Sequence, residues 1–126
     1  MTTPIKISDL GLLFLLLIKE DKLVNYSTLA LVHGPGKYPK ALVDRICAIN
    51  DLFFGKRTTD NKMFKVWEAG GPTLVICSSR SEGLRGRTLS TVLMVDVPDP
   101  DMEKLVTSLY PAMSVSTGAR IYQLSE

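Results

Sequence analysis

The chain has 126 residues, of which 45% are hydrophobic, and its formal net charge is only +2. This length and apolar content are sufficient for one packed domain, which excludes extensive disorder. The small charge excludes a global basic field for nucleic acid, so any such contact must depend on a local patch. Two cysteines, Cys47 and Cys77, fit neither a zinc site nor a disulfide framework, and we expect both to be reduced thiols in the core.

The first predicted element is a helix from Ser8 or Asp9 to about Glu20, since either side chain can cap its first turn. Its segment Leu10 to Ile18 is apolar on nearly every face, which is typical of a helix buried on all sides. The run is far shorter than the ~20 residues that span a bilayer, and no small-residue cleavage site follows it. We therefore expect a cytoplasmic protein without membrane contact.

A buried strand is predicted at Tyr26 to Val32, where an apolar run ends at turn residues; a helix is the competing interpretation. The next helix is predicted between Pro39 and Gly55, because its apolar residues have helical spacing. The polar residues 56–62 are predicted to form a loop. Met63 to Trp67 and Thr73 to Cys77 then flank a glycine-rich turn, which predicts a β-hairpin.

The last third of the chain predicts a strand, a helix and a strand. Val92 to Val97 is a continuous apolar run broken only by Asp96, a helix to about Met113 follows, and Ala119 to Leu124 forms the last strand. Connections this short predict a right-handed crossover and a parallel pair. The whole pattern predicts a single α/β domain with a mostly parallel sheet and helices on both faces.

The order of these segments resembles the ATPase domain of viral and phage large terminases, the motors that package DNA. In that family a hairpin leads to a Ser-rich stretch with an Arg-Gly pair, then to a Walker B strand, a helix and the strand of a coupling motif. Here the hairpin leads to SSRSEGLRGRT, where Arg85-Gly86 matches the Arg-Gly pair. The strand VLMVD, which ends at Asp96, matches Walker B, and Ala119 to Ser125 matches the coupling strand.

Upstream, DKLVNYSTLALVHGP looks like the second strand of that family and ALVDRICAINDLF like its following helix, so the resemblance covers nearly the whole chain. It implies a P-loop-NTPase-like fold. It also implies a vestigial nucleotide site at Asp96, Arg85 and Gly86, with Asp96 as the residue nearest to magnesium. No counterpart of the family's nuclease domain is recognised in these residues.

The motifs for ATP hydrolysis are degenerate. In place of a phosphate-binding loop, Thr2 to Gly11 has no glycine before the helix, and Asp9 would put a negative charge where phosphate binds. The glycine-rich segment 33–40, HGPGKYPK, has the wrong spacing for such a loop and is interpreted as a turn. Val97 follows Asp96 where a carboxylate should orient the attacking water. We expect no catalysis and no required cofactor.

Three further interpretations remain open. A basic edge for nucleic-acid phosphates is predicted from seven residues: Lys56, Arg57, Lys62, Lys65, Arg80, Arg85 and Arg87. The segments up to Cys77 also fit a winged helix if Tyr26 to Val32 is helical. Asp99 and Asp101 can cap the helix after Asp96, or join Asp96 as oxygen ligands of magnesium.

The sequence thus predicts a non-catalytic, virus-derived, terminase-like protein that binds a protein partner in the host cytoplasm. It would act as a decoy or regulator of DNA packaging, and the partner would be a packaging ATPase or a host factor that recognises one. An exposed edge strand, such as the last one, would allow a homodimer by sheet extension. The alternative is a nucleic-acid-binding protein of the winged-helix or basic-patch type.

Overall fold

A computed structural model describes residues 2–19, 28–35, 38–68, 71–80, 89–101, 103–104, 107 and 120–125. Seven strands are found there: β1 (Thr2–Lys6), β2 (Thr28–His33), β3 (Arg57–Asp60), β4 (Phe64–Trp67), β5 (Thr73–Ser78), β6 (Thr91–Val95) and β7 (Arg120–Ser125). The helices are α1 (Leu10–Lys19), preceded by a 3₁₀ turn at Ile7–Asp9, and α2 (Lys40–Phe54). Residues 99–101, 103–104 and 107 are also helical and are labelled α3.

The seven strands form one sheet in the order β1-β7-β6-β2-β5-β4-β3. The first five strands in this order, from β1 to β5, are parallel, and β4 is antiparallel to both of its neighbours, β5 and β3. The predicted α/β class with a mostly parallel sheet is therefore confirmed. Because β2 is a central strand between β6 and β5, the winged-helix alternative, which needs a helix there, is wrong.

The core lies on both faces of this sheet, as the alternation of β2 shows. Leu29 and Leu31 belong to the cluster that packs under α1 and α2, whereas Ala30 and Val32 belong to a cluster on the opposite face. A strand that is apolar at every position suits a parallel sheet covered on both faces. This burial explains why the apolar run of β2 predicted a strand correctly.

The connections between parallel strands define a switch point in the sheet. The chain moves from β2 towards β5 through α2, and from β6 towards β7, on the opposite side, through α3. Right-handed crossovers in opposite directions require helices on opposite faces, so α3 belongs on the face away from α2. The connections after β2 and β6 therefore continue to opposite faces of the sheet, and such a switch point is the place where α/β sheets bind ligands.

The prediction that α1 is buried on all sides is wrong. Its buried side chains, Leu10, Leu13, Phe14 and Leu17, follow helical spacing and pack on the sheet. Leu12, Leu15 and Leu16 remain 65%, 51% and 55% exposed on the other side. No helix within the described residues is long and apolar enough to cross a membrane.

Two strands and one edge differ from the prediction. The polar segment 56–62 contains β3, and the first residues of the chain form β1, because both pair with neighbouring strands despite their polar sequences. The last strand, β7, lies between β1 and β6 and offers no edge, so sheet extension through it is excluded. The true edges are β1, which contains Pro4, and the charged β3, and both features discourage further pairing.

Candidate functional site

The carboxyl ends of the five parallel strands share one edge of the sheet, which is the candidate site. Asp96 directly follows β6 at this edge, as predicted. Its carboxylate is exposed and has no hydrogen-bond or ion-pair partner within the described part of the chain. The edge where α/β folds bind ligands thus carries the negative charge of Asp96.

The loops after β2 and β6 are in direct contact at the switch point. The Gly34 amide donates to the Val95 carbonyl at 3.1 Å, and a Cβ atom at position 34 would overlap with the Asp96 carbonyl oxygen. Only glycine fits this approach. Asp96 itself has a φ of 51°, a left-handed conformation that aspartate tolerates better than most residues. Together these features fix the position of Asp96.

A second set of contacts joins the loop after β5 to α3. One oxygen of Asp101, Oδ2, accepts hydrogen bonds from Ser79 Oγ and from Arg80 Nε, each at 3.1 Å. The Ser79 amide donates to the His33 carbonyl at 2.7 Å, which ties the same loop to β2. Asp101 therefore acts as an acceptor for the β5 loop and neutralises part of the Arg80 charge.

The glycine-rich segment after β2 is fixed by contacts of His33 and Tyr38, the aromatic residues on either side of it. His33 Nδ1 and the Gly34 carbonyl oxygen are 2.8 Å apart, and the His33 ring meets Tyr38 edge-on at 6.1 Å between ring centroids. The Tyr38 hydroxyl donates to the Lys62 carbonyl at 2.9 Å, and burial raises the pKa of Tyr38. These contacts place the tip of the β3–β4 hairpin at the same edge as Asp96.

The counterpart of a phosphate-binding loop, Thr2 to Gly11, begins in β1 and ends in α1. Ser8 and Asp9 are exposed in the 3₁₀ turn, at the carboxyl end of β1. Since β7 lies between β1 and β6, the two strand ends are separated by roughly 10 Å, two strand spacings. Asp9 brings a second carboxylate to the edge that carries Asp96, and phosphate binding there is disfavoured.

The residues of the predicted basic edge that can be placed are divided between the two edges of the sheet. Arg57 pairs with Trp67 beside the start of β5, whereas Arg80 follows the end of β5. At about 3.3 Å per residue the two arginines are roughly 25 Å apart along the sheet. Lys56 and Arg57 therefore lie at the opposite edge from Arg80, while Arg85, Gly86 and Arg87 lie outside the described residues.

A polar network that the sequence analysis missed joins α2 to the hairpin. Asp51 Oδ1 accepts from the buried Trp67 indole at 2.7 Å, and Asp51 Oδ2 accepts from Arg57 at 3.2 Å. Arg57 also pairs with Asp60 at 3.3 Å. A shallow surface depression is lined by Asp51, Gly55, Lys56, Arg57 and Asp60. The available signal was Trp67, whose indole N–H needs an acceptor once it is buried.

The magnesium cluster considered for Asp96, Asp99 and Asp101 is not assembled. Among the described residues, no three His, Cys, Asp or Glu side chains come together as metal ligands would. Asp101 is turned towards Ser79 and Arg80, because their donors satisfy its carboxylate. The assignment of Asp96 to a vestigial nucleotide or magnesium site stays a prediction.

The comparison with known proteins leaves the family open. No protein-family model matches the chain, and no curated protein is significantly similar to it. The relation to the terminase ATPase therefore rests on the order of the motifs and stays a prediction.

Proposed function

We propose that this chain is a terminase-like ATPase core that has lost its phosphate chemistry and acts by binding a protein partner. The observation that carries the proposal is the charge at the carboxyl edge of the sheet. Asp9 brings a carboxylate to the position that the resemblance assigns to the phosphate loop, and Asp96, at the Walker B position, is followed by the apolar Val97 where a second carboxylate is expected.

The local chemistry at both positions opposes nucleotide hydrolysis. Asp9 lies at the start of α1, where the helix dipole would otherwise favour an anion, and its charge repels phosphate. Val97, the residue after Asp96, is buried and apolar, and it offers no group that could orient an attacking water. Arg80, a cation at this edge, is already paired with Asp101 at 3.1 Å.

A surface role accounts for a fold that is kept without its chemistry. Among the residues that the structure describes, six large apolar side chains are exposed: Leu12, Leu15, Leu16, Leu52, Phe53 and Met63. Three of them, Leu12, Leu15 and Leu16, are neighbours on α1, and contiguous exposed apolar side chains are typical of protein interaction sites. A domain that keeps the shape of a packaging ATPase can present matching surfaces to that ATPase, or to a factor that recognises it, and so act as a regulator or decoy.

The first experiment measures ATP binding and hydrolysis with magnesium, using the wild type beside Asp96→Asn. We expect no heat of binding at millimolar ATP and no turnover from either protein. Turnover that Asp96→Asn abolishes would contradict the loss of phosphate chemistry. The second arm adds the chain to an active packaging ATPase, whose turnover should fall as the chain is titrated in. Unchanged turnover and no complex in sedimentation would rule out that partner.

A further inference from the structure

We propose that α1 is a self-association surface, on which the α1 helix of a second copy packs in the antiparallel direction. The inference deepens the proposed binding role by naming one partner and its contact surface. It starts from Leu12, Leu15 and Leu16, here called the leucine face. Leu15 and Leu16 follow Leu12 by three and four residues, so the three side chains form one strip on the side of α1 away from the sheet.

The leucine face has a charge of opposite sign at each end. Asp9 lies three residues before Leu12, and Lys19 lies three residues after Leu16, so both continue the same strip. Both are exposed, and neither forms an ion pair with any residue that the structure describes. A strip with an acid at one end, leucines in the middle and a base at the other end is complementary to itself.

This charge order selects the direction of packing. In a parallel pair, Asp9 would face Asp9 and Lys19 would face Lys19, which is repulsive. In an antiparallel pair related by a two-fold axis, each Asp9 faces the Lys19 of the other copy, and Leu12 then faces Leu16. The helix dipoles are also opposed in this arrangement, which is favourable. One antiparallel contact thus pairs the Asp9 and Lys19 charges of the two copies and covers the leucines of both.

Other occupants fit the leucine face less well. A helix that lies on a membrane surface carries several Lys or Arg residues beside its apolar face, whereas α1 has only Lys19. Sheet extension is discouraged at β1 by Pro4, which has no amide hydrogen to donate. Since α1 is only about 15 Å long, the contact is smaller than the ~800 Å² per partner of stable complexes. We therefore expect a weak dimer that depends on concentration.

The test is sedimentation equilibrium of the full chain at low salt, over a concentration range from about 10 μM to about 1 mM. The wild type should shift from monomer to dimer within this range, and Leu16→Glu should abolish the shift. Leu52→Glu is the matched control, because Leu52 is an exposed leucine on α2, outside the leucine face. Circular dichroism of each variant establishes that it is folded.

Charge reversal tests the direction of packing. Asp9→Lys alone and Lys19→Asp alone should each weaken the dimer by about tenfold, because each creates two pairs of like charge. The double variant Asp9→Lys/Lys19→Asp should return to the wild-type association constant, since the pairs are restored with their signs exchanged. Double and single variants with equal losses would overturn the antiparallel arrangement.

The result also separates this inference from the proposed function. A wild type that stays monomeric at every concentration would overturn self-association, and so would a dimer that Leu16→Glu leaves intact. Inhibition of a packaging ATPase can persist in that case, because it needs no dimer. If Leu16→Glu abolishes that inhibition while the wild type is monomeric, another protein covers the leucine face and the self-association proposal fails.

Discussion

The two helices α1 and α2 lie on the same face of the sheet and pack into the same core, yet their outer surfaces differ. The outer side of α2 carries charged residues, with an exposed ion pair between Lys40 and Asp44 at 2.7 Å, and its exposed apolar side chains Leu52 and Phe53 lie at its carboxyl end. The outer side of α1 consists of the leucine face, and no α1 side chain forms a hydrogen bond or ion pair within the described residues. The outer side of α2 thus forms a polar contact within the chain, whereas the outer side of α1 is apolar and exposed.

The exposure of a helix side therefore depends on which neighbouring elements cover it. α2 ends beside the β3–β4 hairpin, so Asp51 finds partners there in Trp67 and Arg57. α1 follows the edge strand β1 and has the sheet on one side only. The inner face of α1 should therefore contribute stability, and its outer face should contribute contacts with other molecules.

The largest expected effect contrasts the two sides of α1. Phe14 is completely buried, and Phe14→Ala should lower the free energy of unfolding by about 3–5 kcal/mol, because it removes packing and leaves a cavity. Leu16→Ala, on the outer side, should change it by less than about 0.5 kcal/mol when the protein is measured as a monomer. Urea unfolding of both variants checks this, and equal losses would mean that the outer leucine is covered within the chain.

A smaller effect is expected for the polar contacts of α2. Asp51→Ala leaves the buried Trp67 indole without its acceptor, which should cost about 1–3 kcal/mol of unfolding free energy. Asp44→Ala is the control on the same helix, because it removes only an exposed pair with Lys40 and should leave stability close to that of the wild type. Urea midpoints at neutral pH distinguish the two. A silent Asp51→Ala would show that the network adds nothing to the packing of the hairpin.

Apolar patterning explains which elements could be predicted. α2, β2, β6 and the β4–β5 hairpin were predicted because each buries a regular set of apolar side chains. β1 and β3 were missed, since their polar sequences become strands only through pairing with a neighbour. For β1 that neighbour is β7, at the far end of the chain. The exposure of α1 was missed because a helix that is apolar all round has no polar side to mark its outer face.

The candidate site was predictable in position and not in detail. Asp96 was found because a polar residue at the end of an apolar parallel strand must lie at the carboxyl edge. The contact of Gly34 with Asp96 depends on two loops that are distant in sequence, and so does the contact of Asp101 with Ser79. Lys56 and Arg57 were grouped with Arg80 by charge alone, although β3 and β4 carry them to the other edge.

The smallest expected effect is the pH dependence of a contact within the β3–β4 hairpin, which lies beside the end of α2. Lys65 Nζ donates to Asp60 Oδ1 at 2.7 Å, and this hydrogen bond lowers the pKa of Asp60 below its ordinary value. A carboxyl group whose pKa is lowered by folding contributes stability above its unfolded pKa, about 3.9. That contribution is lost as the pH falls through the lower, folded value.

Asp60→Asn should therefore destabilise the protein slightly at pH 6, and its unfolding free energy should approach that of the wild type as the pH falls well below 4. The effect stays small because the carboxylate is half exposed, where solvent screens the charge. Leu16→Ala is the control, since it changes no titrating group and its profile should run parallel to that of the wild type. Urea midpoints between about pH 2.5 and pH 6 measure both profiles. A constant difference between Asp60→Asn and the wild type would mean that the ion pair between Lys65 and Asp60 adds nothing to the stability of the hairpin. The buried side chain of Lys65 would then stabilise the hairpin through packing alone.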